Sequence, residues 1–220
     1  MRKYFSGLII LVLSIFIMTG CEDLFTTSAF EALAKDPSDM TSAQLETHAA
    51  TVLSSGDSAA MAEVLTALAD DLAATTAAED PGLYLLATDL ALGGSGLTDA
   101  IVEVVPDVLA GDINMDESYY TDLLATFDQD LISDSVTTFE AVALAAAGDD
   151  SIEITESQYT NAAVAQALVL LDESSGSTDI FTSPTAEQEA DVQNVLDWAE
   201  AGGVDLSTLI PGVDFEGLEL

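Results

Sequence analysis

The sequence predicts an all-α fold, a stack of about four helical hairpins with a period near 38 residues. Three observations carry that expectation. Apolar residues recur three and four apart along most of the chain, and no run alternates with a period of two. Helix-start signals, Thr-x-x-Gln or Asp-Pro, precede these stripes, and glycines follow them. The starts at 41, 79, 117 and 156 are separated by 38, 38 and 39 residues, within the range of a two-helix repeat.

Taken in order, the chain begins with two cations, Arg2 and Lys3, then an apolar run from Leu8 to Met18. A charged start and an apolar centre of about 7–15 residues are the layout of an export signal. The run is shorter than the roughly 20 residues that span a bilayer. It ends in Met18-Thr19-Gly20-Cys21, and Cys21 is the single cysteine among 220 residues. This ending resembles the lipobox of bacterial lipoproteins. The resemblance implies that residues 1–20 are removed and that Cys21 is lipidated and becomes the mature N-terminus. It also implies a bacterial cell membrane or outer membrane, with the body in the periplasm or extracellular space. Residues 21–27 then form a tether in which Glu22–Thr27 reach about 20 Å at full extension. The helical repeat domain is expected over 28–220.

Ser28 and Glu31 have capping-box spacing and open a short helix that stops before Asp36-Pro37. The next stripes are Met61, Leu65, Leu68, Leu72, then Leu83, Leu86, Ala87, Leu90. Leu97, Ile101, Val104 and Val108 follow, with Pro106 predicting a break near Val105. Tyr120, Leu123, Leu124, Phe127 and Leu131 read as one helix, and Phe139, Val142, Ala143 and Ala146 as the next. Ala162–Leu171 is apolar nearly all round and predicts the most buried helix. Val192, Val195, Leu196 and Ala199 form the last stripe. Thr41…Gln44, Thr155…Gln158 and Thr185…Gln188 are capping boxes by spacing; Asp80-Pro81 and Ser183-Pro184 suit an N-cap and first helical residue.

The helices repeat one another. Glu117-Ser118-Tyr119-Tyr120-Thr121-Asp122 matches Glu156-Ser157-Gln158-Tyr159-Thr160-Asn161, each preceded by a Gly-Asp pair, at 111–112 and 148–149. Leu83, Leu86-Ala87, Leu90 and Ala100, with Asp-Pro pairs at 36–37 and 80–81, resemble the tetratricopeptide (TPR) repeat. That resemblance implies a TPR-like solenoid of stacked hairpins, whose extended concave face binds proteins or peptides. The period exceeds the family's usual length, and Ala100 stands one residue late.

Charge excludes several functions. The formal net charge is −37, from 40 acidic residues against three cations. Without the leader only Lys35 remains. Such a chain repels nucleic acid and acidic headgroups, and it lacks the Arg or Lys forks that hold nucleotides. Salt would relieve its self-repulsion, since the Debye length falls to about 3 Å at 1 M, so a saline habitat is inferred. Disorder does not fit, because 49% of the residues are hydrophobic and regularly spaced.

Little catalytic chemistry is left. His48 is the only histidine, and no G-x-S-x-G motif accompanies it. Zinc needs several His or Cys ligands. A carboxylate pair acting on polysaccharide is the enzymatic alternative; an acidic cation-binding surface protein is another. Asp112, Asn114 and Asp116, with Asp122 beyond, have the alternate-oxygen spacing that resembles EF-hand and dockerin loops, which implies a calcium site. Glu117 stands where those loops carry a turn glycine, and Leu123 where they carry the last ligand. The other reading makes these acids a helix-start cluster with Tyr120 packed inward. No catalytic residue and no resident cofactor other than such a calcium ion is expected. The function expected is a membrane-anchored, non-catalytic scaffold for a protein, peptide or transport component.

The anchor is directly testable. Each buried CH₂ contributes about 0.8 kcal/mol, so two or more acyl chains on Cys21 hold the protein without a basic patch. Cys21→Ala is expected to release or misprocess it, measured by membrane fractionation and N-terminal mass spectrometry. An unmodified N-terminus in the membrane fraction would refute lipidation.

Overall fold

The computed structural model describes residues 36–97 and 117–204. The leader 1–20, Cys21 and its tether, the start at Ser28–Glu31, the stretch from Ala100 to Val108 with Pro106, and Asp112, Asn114 and Asp116 lie outside the described residues. The chain divides into two units, 1–40 and 41–220. In the first, Pro37–Asp39 forms a 3-10 turn. The Asp36 carboxylate accepts the Ser38 hydroxyl at 2.6 Å and the Ser38 amide at 2.9 Å, which holds the acid below the ordinary aspartate range.

In the second unit, helix starts follow local cap chemistry. Helix α1, Ser42–Ser55, opens where the Thr41 amide donates to Gln44 Oε1 at 3.1 Å. Helix α2, Ser58–Ala74, is capped by Asp57, which accepts from the Ala60 amide at 3.0 Å. Helix α3, Pro81–Gly94, has Pro81 at its first position and Asp80 accepting from the Leu83 amide at 3.0 Å. Helix α4 spans Glu117–Leu124 and α5 spans Gln129–Gly148. Helix α6, Glu156–Glu173, starts with the Thr155–Gln158 capping box. A 3-10 turn, Thr178–Phe181, precedes helix α7, Glu189–Ala201. No strand occurs among the described residues, so the described part is all-α.

Three expectations need correction. The stripe from Tyr120 to Leu131 is not one helix. Gln129 Nε2 donates to the Leu124 carbonyl at 2.8 Å and closes α4. Asp128 then caps α5 by accepting from the Leu131 amide at 3.2 Å, while its own amide donates to the Ser95 carbonyl at 3.1 Å. Second, Ser183-Pro184 does not start α7. Thr185 and Gln188 close a separate turn through bonds of 3.1 and 2.9 Å, and the helix begins at Glu189. Third, the buried line on α2 is Met61, Val64 and Leu68, with Leu65 and Leu72 half-buried, because α2 packs against both α1 and α3.

Spatial neighbours run in the order α2, α3, α5, α6, α7. Helix α1 lies against α2 and α3, and the short α4 against α6. The most extensive contact joins α3 to α5, although α4 lies between them in sequence. Thr88 and Thr138 hydroxyls meet there at 2.9 Å, and Gly94 comes against Leu131, so the two helices are antiparallel.

The core is densest where α5, α6 and α7 meet. Phe139 is fully buried, with Tyr159 edge-on at 5.5 Å and Trp198 edge-on at 5.0 Å between ring centroids. Such pairs contribute about 0.5–1.5 kcal/mol beyond their burial. Helix α6 is buried nearly all round, from Ala162 to Leu171. Tyr120 and Leu124 of α4 are buried in the same core, with Leu123 partly buried against it.

The end of α7 is held close to the start of α6. A Cβ on Gly202 would stand 2.6 Å from Thr160 Oγ1, 2.8 Å from Thr160 N and 3.1 Å from Glu156 O. Two of these are backbone atoms that cannot swing away. Gly202→Ala is therefore expected to cost about 1–3 kcal/mol, read from urea denaturation. An unchanged midpoint would contradict this close approach.

Candidate functional site

Two surface hollows differ in chemistry. The larger, about 600 Å³, lies between the C-terminal half of α5 and the start of α6. Ala143, Ala146 and Ala147 of α5 line it together with Ile152 and Ile154 of the α5–α6 connection. Tyr159 adds its one ring, and Asp150 and Glu153, both solvent-exposed, are its acids. Leu144, next to Ala143 and three residues from Ala147, is 77% exposed. Local chemistry orders the connection: the Ser151 hydroxyl and amide both bond to Asp149, the amide at 2.9 Å, and hold that carboxyl below the ordinary range. Helix α5 is also long and apolar enough to cross a membrane by length and composition. Its Ile132, Phe139 and Val142 are fully buried against other helices.

The smaller hollow, about 310 Å³, lies where the end of α1, the start of α2 and the end of α3 meet Asn161 of α6. Leu53, Met61 and Leu92 supply its apolar lining. Asp89 is the one acid among its described lining residues, half-buried, in a helix otherwise dominated by apolar residues. Gly93 lets α3 approach α2, because a Cβ there would overlap Met61 Sδ.

The residues predicted from sequence fall elsewhere. Cys21, Asp112, Asn114 and Asp116 lie outside the described residues, and Asp122 is exposed on α4. His48 is half-buried on α1. Among the described residues, no group of three or more His, Cys, Asp or Glu gathers to hold a metal. Sequence reasoning missed both hollows. A single acid inside Leu83–Leu92 was a usable signal for the smaller. For the larger it was Leu144, the lone large apolar residue of an alanine run off the Phe139–Val142 face.

Compared with known protein families, curated proteins and solved structures, the chain shows no match.

Burial alone pushes the Asp89 carboxyl above the ordinary aspartate range. An acid raised in this way binds its proton more tightly folded than unfolded. Folding therefore weakens as pH climbs from the unfolded value, about 3.9, through the folded one. Asp89→Asn is expected to melt above wild type at pH 7, with the gap closing below about pH 3.9. Circular dichroism melts across pH read this, and a gap independent of pH would show that Asp89 is not desolvated.

Proposed function

We propose that this protein is a lipid-anchored, non-catalytic helical scaffold, held at a bacterial membrane through Cys21, that docks a cationic amphipathic segment of another protein. The observation that carries the reading is the apolar hollow between α5 and α6, with Leu144 exposed nearby and acids at its margin. The alanine and isoleucine walls of the hollow suit an apolar side chain of a partner, and acids at its margin favour a basic one.

The TPR-like reading draws support from helix starts near 41, 80, 117 and 155 and from the packed pairs α1–α2 and α6–α7. The α3–α5 contact joins the first helix of the second copy to the second helix of the third, so it too falls between neighbouring copies. A polysaccharide hydrolase draws less support. Its two acids would flank the scissile bond, with one held protonated by its surroundings. Asp150 and Glu153 are exposed, and packing on Phe139 accounts for Tyr159.

The test uses the full chain in non-ionic detergent and a fluorescent Leu/Lys peptide of helical amphipathic pattern. Covering Leu144 is worth about 1.5–3 kcal/mol, so Leu144→Glu should weaken binding about tenfold or more. A scrambled peptide of equal charge should bind far less tightly. Equal binding of both peptides, unaffected by Leu144→Glu, would reduce the interaction to counterion condensation and overturn the docking reading.

A further inference from the structure

The smaller hollow carries a second inference, independent of the docking groove. Asp89 shares the hollow with Leu53, Met61 and Leu92 as well as Ser58 and Asn161, and no described residue donates a hydrogen bond to it, so burial is what acts on its charge. Residues 36–220 contain no lysine or arginine. A carboxylate withdrawn from water without a partner is unfavourable, and it is relieved by a proton or by a cation that enters from solution.

The surroundings favour the cation. Gly56 stands at the end of α1 and Gly93 in the last turn of α3, so two helix C-termini, the negative ends of their dipoles, border the hollow. The opposing positive end, the start of α2 at Ser58, is already answered by Asp57. Ser58 and Asn161 bring further oxygen acceptors to the lining, and Leu53, Met61 and Leu92 offer an apolar wall.

We infer that this hollow binds a primary alkylammonium group, its nitrogen on the Asp89 carboxylate and its alkyl chain against Met61 and Leu92. Three N–H donors on one nitrogen suit a lining that offers a carboxylate, an amide oxygen and a hydroxyl. Quaternary ammonium ions are disfavoured, since their usual hosts are aromatic cages and no aromatic ring stands among the described lining residues. Calcium is disfavoured as well, because it takes six to eight oxygens and a single carboxylate stands among the described lining residues. At about 310 Å³ the space lies at the small end of ligand pockets, about 300–1,000 Å³. The ammonium belongs to a free amine or to a lysine side chain of another protein; the chemistry is shared.

The experiment titrates the full chain in non-ionic detergent, at fixed ionic strength, with n-butylammonium, tetramethylammonium and Nα-acetyl-lysine amide. Calorimetry and the carboxyl-carbon NMR signal of Asp89 are both read. Saturable n-butylammonium binding that shifts the Asp89 signal is expected, weakened at least tenfold by Asp89→Asn. Glu140→Gln, which removes one exposed charge elsewhere, should leave it unchanged. Binding of the lysine amide as well would extend the ligand to protein side chains; n-butylammonium alone would restrict it to free amines. Non-saturating uptake, an unmoved Asp89 signal in wild type, or equal binding of tetramethylammonium would each overturn the inference. The NMR arm does not depend on the folding of any variant.

Discussion

Between Asp36 and Leu220 there is no lysine and no arginine, so the described helices are held together without the ion pairs that most acidic proteins retain. Every element must then be stabilised by apolar packing, by cap hydrogen bonds and by hydroxyls turned onto the backbone. The caps show this plainly. Asp57, Asp80 and Asp128 each accept an amide at a helix start, where a negative charge meets the positive end of the dipole. No described helix carries a basic residue in its last turn, so the opposite ends have no such charge. Threonines such as Thr47, Thr66 and Thr137 bond back to carbonyls four residues earlier, which limits the polar surface offered to a solvent already facing many carboxylates.

The same constraint shapes the two hollows. Carboxylates repel one another wherever they approach, so acids collect at margins, as Asp150 and Glu153 do, and apolar residues fill the space between. Asp89 is half-buried, as are Asp71 and Asp191, and it lies on α3 between the buried Thr88 and Leu90. In a protein with ordinary lysine content a neighbouring cation would be the natural partner. Here residues 36–220 offer no lysine or arginine for that place.

Helix starts were legible because their chemistry is local. Thr41 with Gln44, Asp80 with Pro81 and Thr155 with Gln158 need only a few residues to declare themselves, and each opens a helix. The break at Leu124–Gln129 was missed although its caps, Gln129 on the Leu124 carbonyl and Asp128 on the Leu131 amide, are local; only the bond from the Asp128 amide to the Ser95 carbonyl spans more than thirty residues. Periodicity alone ran straight across it. The burial of Ala162–Leu171 could be read from composition, whereas the pairing of α3 with α5 could not, since a period shows which copies are neighbours and not which of their helices touch. Surface features were the least legible. Stripe patterns identify what turns inward, and both Leu144 and Asp89 stand outside any such pattern.

The α3–α5 contact also bears on how the chain folds. Thr88 and Thr138 touch across 50 residues of sequence, so their meeting closes a long loop before its packing is rewarded. In a strict array each hairpin nucleates on its neighbour, and stability grows by addition. A contact between copies that closes across 50 residues still forms more slowly than one within a hairpin. Removing the hairpin that carries α3 would strip α5 of its principal surface, while the aromatic centre shared by α5, α6 and α7 would remain.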